Sequence, residues 1–365
     1  MTYLKRILWL WFCILNIIFQ RHVLQDKLLD YTTLEKIDSQ KMYQVYDRWP
    51  ELAKNAFNDD VNPVSYEGID HIVFSGMGGS GALADIFAAI LSKIDTHVCV
   101  IKGYHLPKTV DSNTLVVTTS ISGNTEETLS VLSSALEQKC RIAAFSSGGK
   151  MEEFCSKNNI EYRKIKQVHS PRASFSIFLY SMLKTLESVL PIDKQDILES
   201  LEHLESQRNN ISSSNLSPDN SALSLAQWIK TIPLIYYPWG LQSAAIRFKN
   251  SLQENAKLHA MAEDVIEACH NGIVSWEKSS NIKPILIQGK DDYIKTKERW
   301  EILKEYFDIN GVDYLEINSV SGSILSKIIN LIYLLDYASI FKAVLDGIDP
   351  SPIKSIDFIK NRLNP

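Results

Sequence analysis

Two short stretches of this chain carry residue types that could hold a small anionic ligand. The first is Ser120-Ile121-Ser122-Gly123-Asn124-Thr125-Glu126-Glu127-Thr128. It follows an apolar, β-like run from Thr114 to Thr119 and precedes a helical run from Leu129 to Gln138. The hydroxyls of Ser120, Ser122 and Thr125, a glycine and a helix start therefore meet at the end of a strand. The N–H groups of a helix's first turn carry partial positive charge, and hydroxyls add neutral donors, so such a loop can cradle a phosphate without a metal. The second stretch is Ser75-Gly76-Met77-Gly78-Gly79-Ser80-Gly81, between an apolar run at His71–Phe74 and a helical run at Ala82–Leu91. Glycines let a backbone approach a ligand closely and permit positive φ. Alone, this pattern describes any tight strand-to-helix turn capped by a serine. Two such loops after two strands of one sheet point instead to a shared ligand site. Gly76, Gly78 and Gly81 also satisfy GxGxxG literally. The acidic residue that a dinucleotide site needs at the next strand end is missing, because the chain there reads Val100-Ile101-Lys102-Gly103-Tyr104. The expected ligand is a phosphorylated small molecule.

The elements that must position these loops alternate. Strands are expected at Thr96–Ile101, Arg141–Phe145 and Glu161–Lys164, with a helix at Lys150–Lys157. Strands alternating with helices imply a parallel sheet covered on both faces, with ligands at the carboxyl ends of its strands. Arg208–Ser221 is polar and aperiodic and reads as a linker or exposed turn. Beyond it the alternation restarts. Strands are expected at Ile232–Tyr237, Pro284–Gln288 and Asp313–Ile317, and helices at Leu241–Ala256, Tyr293–Phe307 and Ser323–Leu345. The first strand of this half ends in Pro238-Trp239-Gly240, not in a glycine-serine loop. A terminal helix is expected at Ile353–Leu363 after the break at Asp349-Pro350-Ser351-Pro352.

With 365 residues, the chain can form two α/β domains that share a cleft. A net charge of −5 argues against nucleic acid as the main partner. The five cysteines (Cys13, Cys99, Cys140, Cys155, Cys269) are scattered and form no CxxC. That suits a reducing cytoplasm and offers no zinc site. The apolar run Ile7–Phe19 is flanked by Lys5, Arg6, Arg21 and His22. It is shorter than the roughly 20 residues needed to span a bilayer, and no small-x-small cleavage site follows. It is expected to be an extension outside the working protein, with a membrane anchor or a signal as the other readings.

Together the two loops resemble the sugar isomerase (SIS) domain family. Further motifs narrow the likeness to its bifunctional phosphoglucose/phosphomannose isomerases. These are Pro171-Arg172-Ala173, Gln253-Glu254-Asn255-Ala256-Lys257, His270-Asn271-Gly272-Ile273-Val274-Ser275-Trp276 and the tail Ile356–Leu363. The resemblance covers about Asp30 to Leu363. It implies two tandem SIS-type α/β domains, flavodoxin-like and three-layered (αβα), each with a central parallel sheet. The expected bounds are 1–28 for the extension, 29–205 for the first domain, 206–221 for the linker, 222–350 for the second domain and 351–365 for the tail. It also implies that Ser120, Ser122 and Thr125 hold the sugar phosphate and that Gly78, Gly79 and Ser80 line the sugar. Glu254 would then be the catalytic base and Arg172 the cation beside the enediolate. His270 and Lys360 would open the ring, with His270 crossing from the partner of a homodimer. A family threonine that helps mannose phosphate bind has Ser351 as its nearest hydroxyl here, and its role stays unassigned.

These residue types suit the reaction. Aldose–ketose isomerisation needs a base to move a proton between adjacent carbons, which a carboxylate can do. A fixed cation beside the enediolate oxygen lowers the barrier. Ring opening needs one group to take a proton and another to give one. Neither a metal nor a redox cofactor is required. Without the resemblance each residue has a plainer reading: Glu254 as a solvated helix charge near Arg247 and Lys257, His270 as a surface or capping histidine, Lys360 as a terminal-helix lysine, Arg172 as a loop charge. His169 and His259 stay unassigned at the surface. Two other functions remain open: a non-catalytic SIS sensor of phosphosugars, and an SIS isomerase for another sugar phosphate. The absence of a helix-turn-helix weighs against the first, and the two α/β halves against the second.

Overall fold

Strands buried on both faces are apolar through most of their length, and this tendency shapes the centre of the fold. The computed structural model describes residues 29–363. The apolar run Ile7–Phe19 lies outside them. The chain opens with three helices, α1 (Tyr31–Ile37), α2 (Met42–Asp47) and α3 (Trp49–Phe57). The first sheet follows as β1 (His71–Ser75), α4 (Gly78–Ile90), β2 (His97–Ile101), β3 (Thr114–Ser120), α5 (Glu126–Glu137), β4 (Arg141–Ser146), α6 (Gly149–Asn158) and β5 (Glu161–Lys164). Every residue of β1 and β3 is buried. Three helices, α7 (Phe175–Thr185), α8 (Lys194–Ile211) and α9 (Ser221–Trp228), lead to the second half. That half runs β6 (Ile232–Tyr237), α10 (Gln242–Asn255), β7 (Met261–Asp264), α11 (Val265–Ala268), β8 (Ile282–Gln288), α12 (Ile294–Ile309), β9 (Leu315–Asn318), α13 (Ile324–Leu345) and α14 (Lys354–Leu363).

Both sheets are parallel, as the alternation predicts. Their orders are β2-β1-β3-β4-β5 and β7-β6-β8-β9. In the first, the chain moves from β1 outward to β2 and then returns to the other side of β1. The carboxyl ends of β1 and β3 therefore flank the reversal point, where a crevice opens in open α/β sheets. Register places Ser75 opposite Thr118, so the glycine turn after β1 and the serine loop after β3 are neighbours. The second sheet has the same reversal around β6.

Two expectations are corrected. β7 has no counterpart among the expected strands; Met-Ala-Glu-Asp is a short edge strand with no alternation to detect. The segment 206–221, expected as a linker, is helical to Ile211 at the end of α8. Its remaining turn is tied down. The Ser213 hydroxyl and N–H donate to Asp47 at 2.6 and 2.9 Å, and the Asn220 side chain caps α9 by accepting from Leu223. Its polar residues cap and bridge elements; they do not solvate a loose connection.

One apolar core runs through both halves. Its axis is α13, whose 22 residues are buried almost throughout. By length and composition alone α13 would suit a membrane, but it packs against α8, α9, α10 and α4.

Candidate active site

The serine loop is held by its own hydroxyls. Ser120, 1% exposed, ends β3 and donates its hydroxyl to Thr125 Oγ1 at 2.9 Å. The Gly123 N–H closes the turn on the Ser120 carbonyl at 2.8 Å. Thr125 is the N-cap of α5 but makes no side-chain capping bond, so the helix start presents its N–H groups towards the loop. Gly123 has a φ of 71°, and a Cβ there would fall on the carbonyl oxygen of Gly148. Gly68 has a similar φ of 69° but open space around it. Gly123→Ala is therefore expected to destabilise the protein by more than Gly68→Ala, which carries only the backbone cost of about 1–2 kcal/mol. Thermal melts of the two variants check this, and equal shifts would mean that the Gly148 contact is relieved at no cost.

The glycine turn leads into α4, whose N-cap Met77 likewise lacks a side-chain capping bond. Ser80 is 6% exposed, and its hydroxyl accepts the Ile121 N–H at 3.3 Å. That bond joins the two loops directly. Gly78 and Gly79 open onto a cavity of about 960 Å³ between the halves.

Arg172 and Glu254 meet on the cavity wall, Nη1 to Oε1 at 3.8 Å. Arg172 is 6% exposed and its orientation is fixed from the second half. Its Nε donates to Asn255 Oδ1 at 2.8 Å, and Nη2 donates to the carbonyls of Pro350 and Ser351 at 2.7 and 2.9 Å. Only Nη1 is left to face Glu254 and the cavity. Glu254 lies in the last turn of α10, with a third of its side chain exposed. Lys257, three residues on, sits at a φ of 55°. Its Nζ donates to the carbonyls of Glu254 and Pro352, at 2.5 and 2.8 Å. Burial, and secondly Arg172, push its pKa below the usual lysine value. Thus two cations from opposite halves grip the carbonyls of residues 350–352, where the chain turns into α14.

The fold therefore assembles Gly78, Gly79, Arg172 and Glu254 on one cavity. Ser80, Ser120, Ser122 and Thr125 are on the adjoining loops and do not line it. His270 and Lys360 are not brought to the cavity within this chain. His270 is exposed after α11, its N–H bonded to the Glu267 carbonyl at 2.9 Å. Lys360 is exposed on α14, which buries none of its residues. Of the two unassigned histidines, His259 is on the cavity wall. His169 is partly buried, with neither ring nitrogen bonded, and burial lowers its pKa.

Sequence reasoning assigns no role to Arg247 or Asp336. Arg247 is 3% exposed and Asp336 0%. Arg247 donates Nε and Nη2 to Asp336 Oδ2 at 3.0 and 2.6 Å. Burial disfavours the charged guanidinium, but Asp336 more than offsets this and its pKa is raised. Asp336 also accepts from Ser251 at 2.6 Å and Tyr46 at 3.1 Å. The available signal was a lone aspartate within the apolar run of α13, since a buried charge needs a partner.

Comparison with known proteins agrees with this architecture. The SIS domain family matches residues 66–182. The family described as the bacterial phospho-glucose isomerase C-terminal SIS domain matches residues 218–363. The chain is 34% identical over 341 residues to the bifunctional phosphoglucose/phosphomannose isomerase of Caldicellulosiruptor bescii, covering 88% of this chain and 98% of that one. It is 30% identical over 320 residues to the Aquifex aeolicus protein of the same name, covering 86% and 94%. Among solved structures, a hypothetical protein of Thermus thermophilus superposes with a TM-score of 0.65 at 15% identity, covering 94% of each chain. At that identity the likeness speaks for the fold alone.

Proposed function

Because the chain belongs to the family of bifunctional phosphoglucose/phosphomannose isomerases, we propose that it interconverts glucose 6-phosphate and mannose 6-phosphate with fructose 6-phosphate. The observation that carries this reading is the Arg172–Glu254 pair on a cavity beside the two phosphate-type loops. Ser120, Ser122 and Thr125 anchor the phosphate, and Gly78, Gly79 and Ser80 line the sugar. Glu254 takes the proton from C2 of the open-chain aldose and returns it to C1. In the same step sequence a proton passes from the C2 hydroxyl to the C1 carbonyl oxygen, leaving the ketose. Charge on the enediolate oxygens is met by Nη1 of Arg172, whose other nitrogens are held by protein acceptors. C2 is planar in that intermediate, so return of the proton to either face of C2 gives glucose or mannose phosphate. One site can thus serve both sugars.

We assign ring opening to His270, supplied by the second subunit of a homodimer, and to Lys360. Their exposure in the single chain is what such an assignment needs. Val274, four residues after His270, is 57% exposed, and Ile302, which lines one groove with Cys269 and Ile273, is 64% exposed, which suits burial against another copy. A cytoplasmic place in hexose phosphate breakdown is supported by four free cysteines within the described residues.

The test is a coupled assay of the purified chain with glucose 6-phosphate and with mannose 6-phosphate, read as fructose 6-phosphate formed, alongside sedimentation to count subunits. Product from both sugars supports the reading. Tight binding of the sugar phosphates without turnover replaces it with the sensor function.

A further inference from the structure

Arg247 reaches the cavity in a manner that its pairing with Asp336 does not account for. Nε and Nη2 are occupied by Asp336, and Nη2 also donates to the Arg172 carbonyl at 3.0 Å. The guanidinium carbon lies 3.7 Å from the ring centre of Phe175. Nη1 has no acceptor among the described residues, and Arg247 forms part of the cavity wall. The atom nearest to a Cβ built on Gly79 would be this Nη1, at 3.8 Å. A guanidinium pinned on two nitrogens and stacked on one face thus offers its third nitrogen to the space above the glycine turn. A donor fixed in advance loses little entropy when it binds.

We propose that Arg247 is a substrate-binding residue whose Nη1 donates to hydroxyl oxygens of the sugar chain, between its phosphate and its reacting carbons. This rests on the isomerase reading for the identity of the ligand. Hydroxyls are favoured over the phosphate because Asp336 already neutralises the guanidinium, so Nη1 supplies direction more than net charge. The phosphate has its own loop at Ser120–Thr125. The absence of a side chain at Gly79 gains a second purpose, since a methyl there would occupy the path to Nη1 without forcing the backbone to move.

The test uses Arg247→Lys, which keeps a cation beside Asp336 and removes the forked donor, and Gly79→Ala, which leaves the pair intact. Affinity for fructose 6-phosphate is measured by calorimetry in the Glu254→Gln background, where interconversion is expected to be slowed about 10²- to 10⁴-fold, with inorganic phosphate as the second ligand. Each variant should weaken fructose 6-phosphate about 10- to 100-fold, as expected for a lost charge-assisted hydrogen bond. The two losses should be less than additive, because both act on one donor. Affinity for inorganic phosphate should be unchanged. With Glu254 restored, KM should rise while kcat stays within a few fold, the pattern of binding shared by ground and transition states. Unchanged affinity in a folded Arg247→Lys variant overturns the proposal, as does equal weakening of inorganic phosphate. If the wild type binds fructose 6-phosphate without turning it over, the isomerase reading falls while the affinities still decide the role of Arg247.

Discussion

Glu254→Gln is expected to lower turnover by about 10²- to 10⁴-fold while leaving sugar phosphate affinity within a few fold, the range typical for loss of a positioned general base. Glutamine has the same shape and can still accept a hydrogen bond, but it cannot take the proton from C2. Arg172 does not depend on Glu254 for its orientation, because Asn255, Pro350 and Ser351 already hold it. The variant should therefore keep its cavity and lose only proton transfer. Two readouts separate the possibilities. Calorimetry should show retained binding, and exchange of solvent deuterium into C1 and C2 should disappear together with turnover. A variant that retains wild-type kcat would show that the base lies elsewhere, with His259 on the same wall as the first alternative to examine.

The second large effect is on stability. Asp336→Ala should reduce the free energy of unfolding by about 3–5 kcal/mol, the cost of leaving one member of a buried ion pair without its partner. Asp336 is fully buried and collects four donors, two from Arg247 and one each from Ser251 and Tyr46. Against a total of roughly 5–15 kcal/mol for a native protein, such a loss is large. The double variant Arg247→Met/Asp336→Leu should recover most of it, since apolar residues of similar volume commonly replace a buried pair without penalty. Denaturant unfolding of the single and double variants measures both. A loss under about 1 kcal/mol in Asp336→Ala would mean that water or a neighbouring group compensates Arg247.

How much of this is readable from residue order alone follows from where each signal lies along the chain. The strands at the sheet centres are legible because burial on both faces favours near-continuous apolar runs, and β6 is located to the residue. The glycine and serine loops are legible because all their chemistry is contiguous. β7 is not, since Glu263 and Asp264 at a sheet edge look like any acidic turn. The end of α8 is easily misread because its asparagine and serine residues have poor helix propensity, and packing against α13 overrides that. Within the site, Arg172 is fixed by residues 83 and 178 positions away, and Arg247 by one 89 away. No local pattern can announce such pairs. The roles proposed for His270 and Lys360 rest on resemblance alone, and a single chain leaves both in solvent.

The path of α13 has a consequence for how this protein can be divided. In sequence the helix belongs to the second half, yet it covers α8 and contacts α1 and α2 of the first. The two sheets share one topology around their first strands, and α13 packs against helices of both halves. A fragment cut at the turn between α8 and α9 would leave α8 without its cover, while in the second half α13 would keep α9 and α10 but expose the face that α8, α4, α1 and α2 occupy. A cut between the halves is therefore expected to expose apolar surface on both pieces. Cooperativity between them is built into the core: the helix that closes the interior also carries Asp336, so the integrity of the whole molecule and the shape of its cavity rise and fall together.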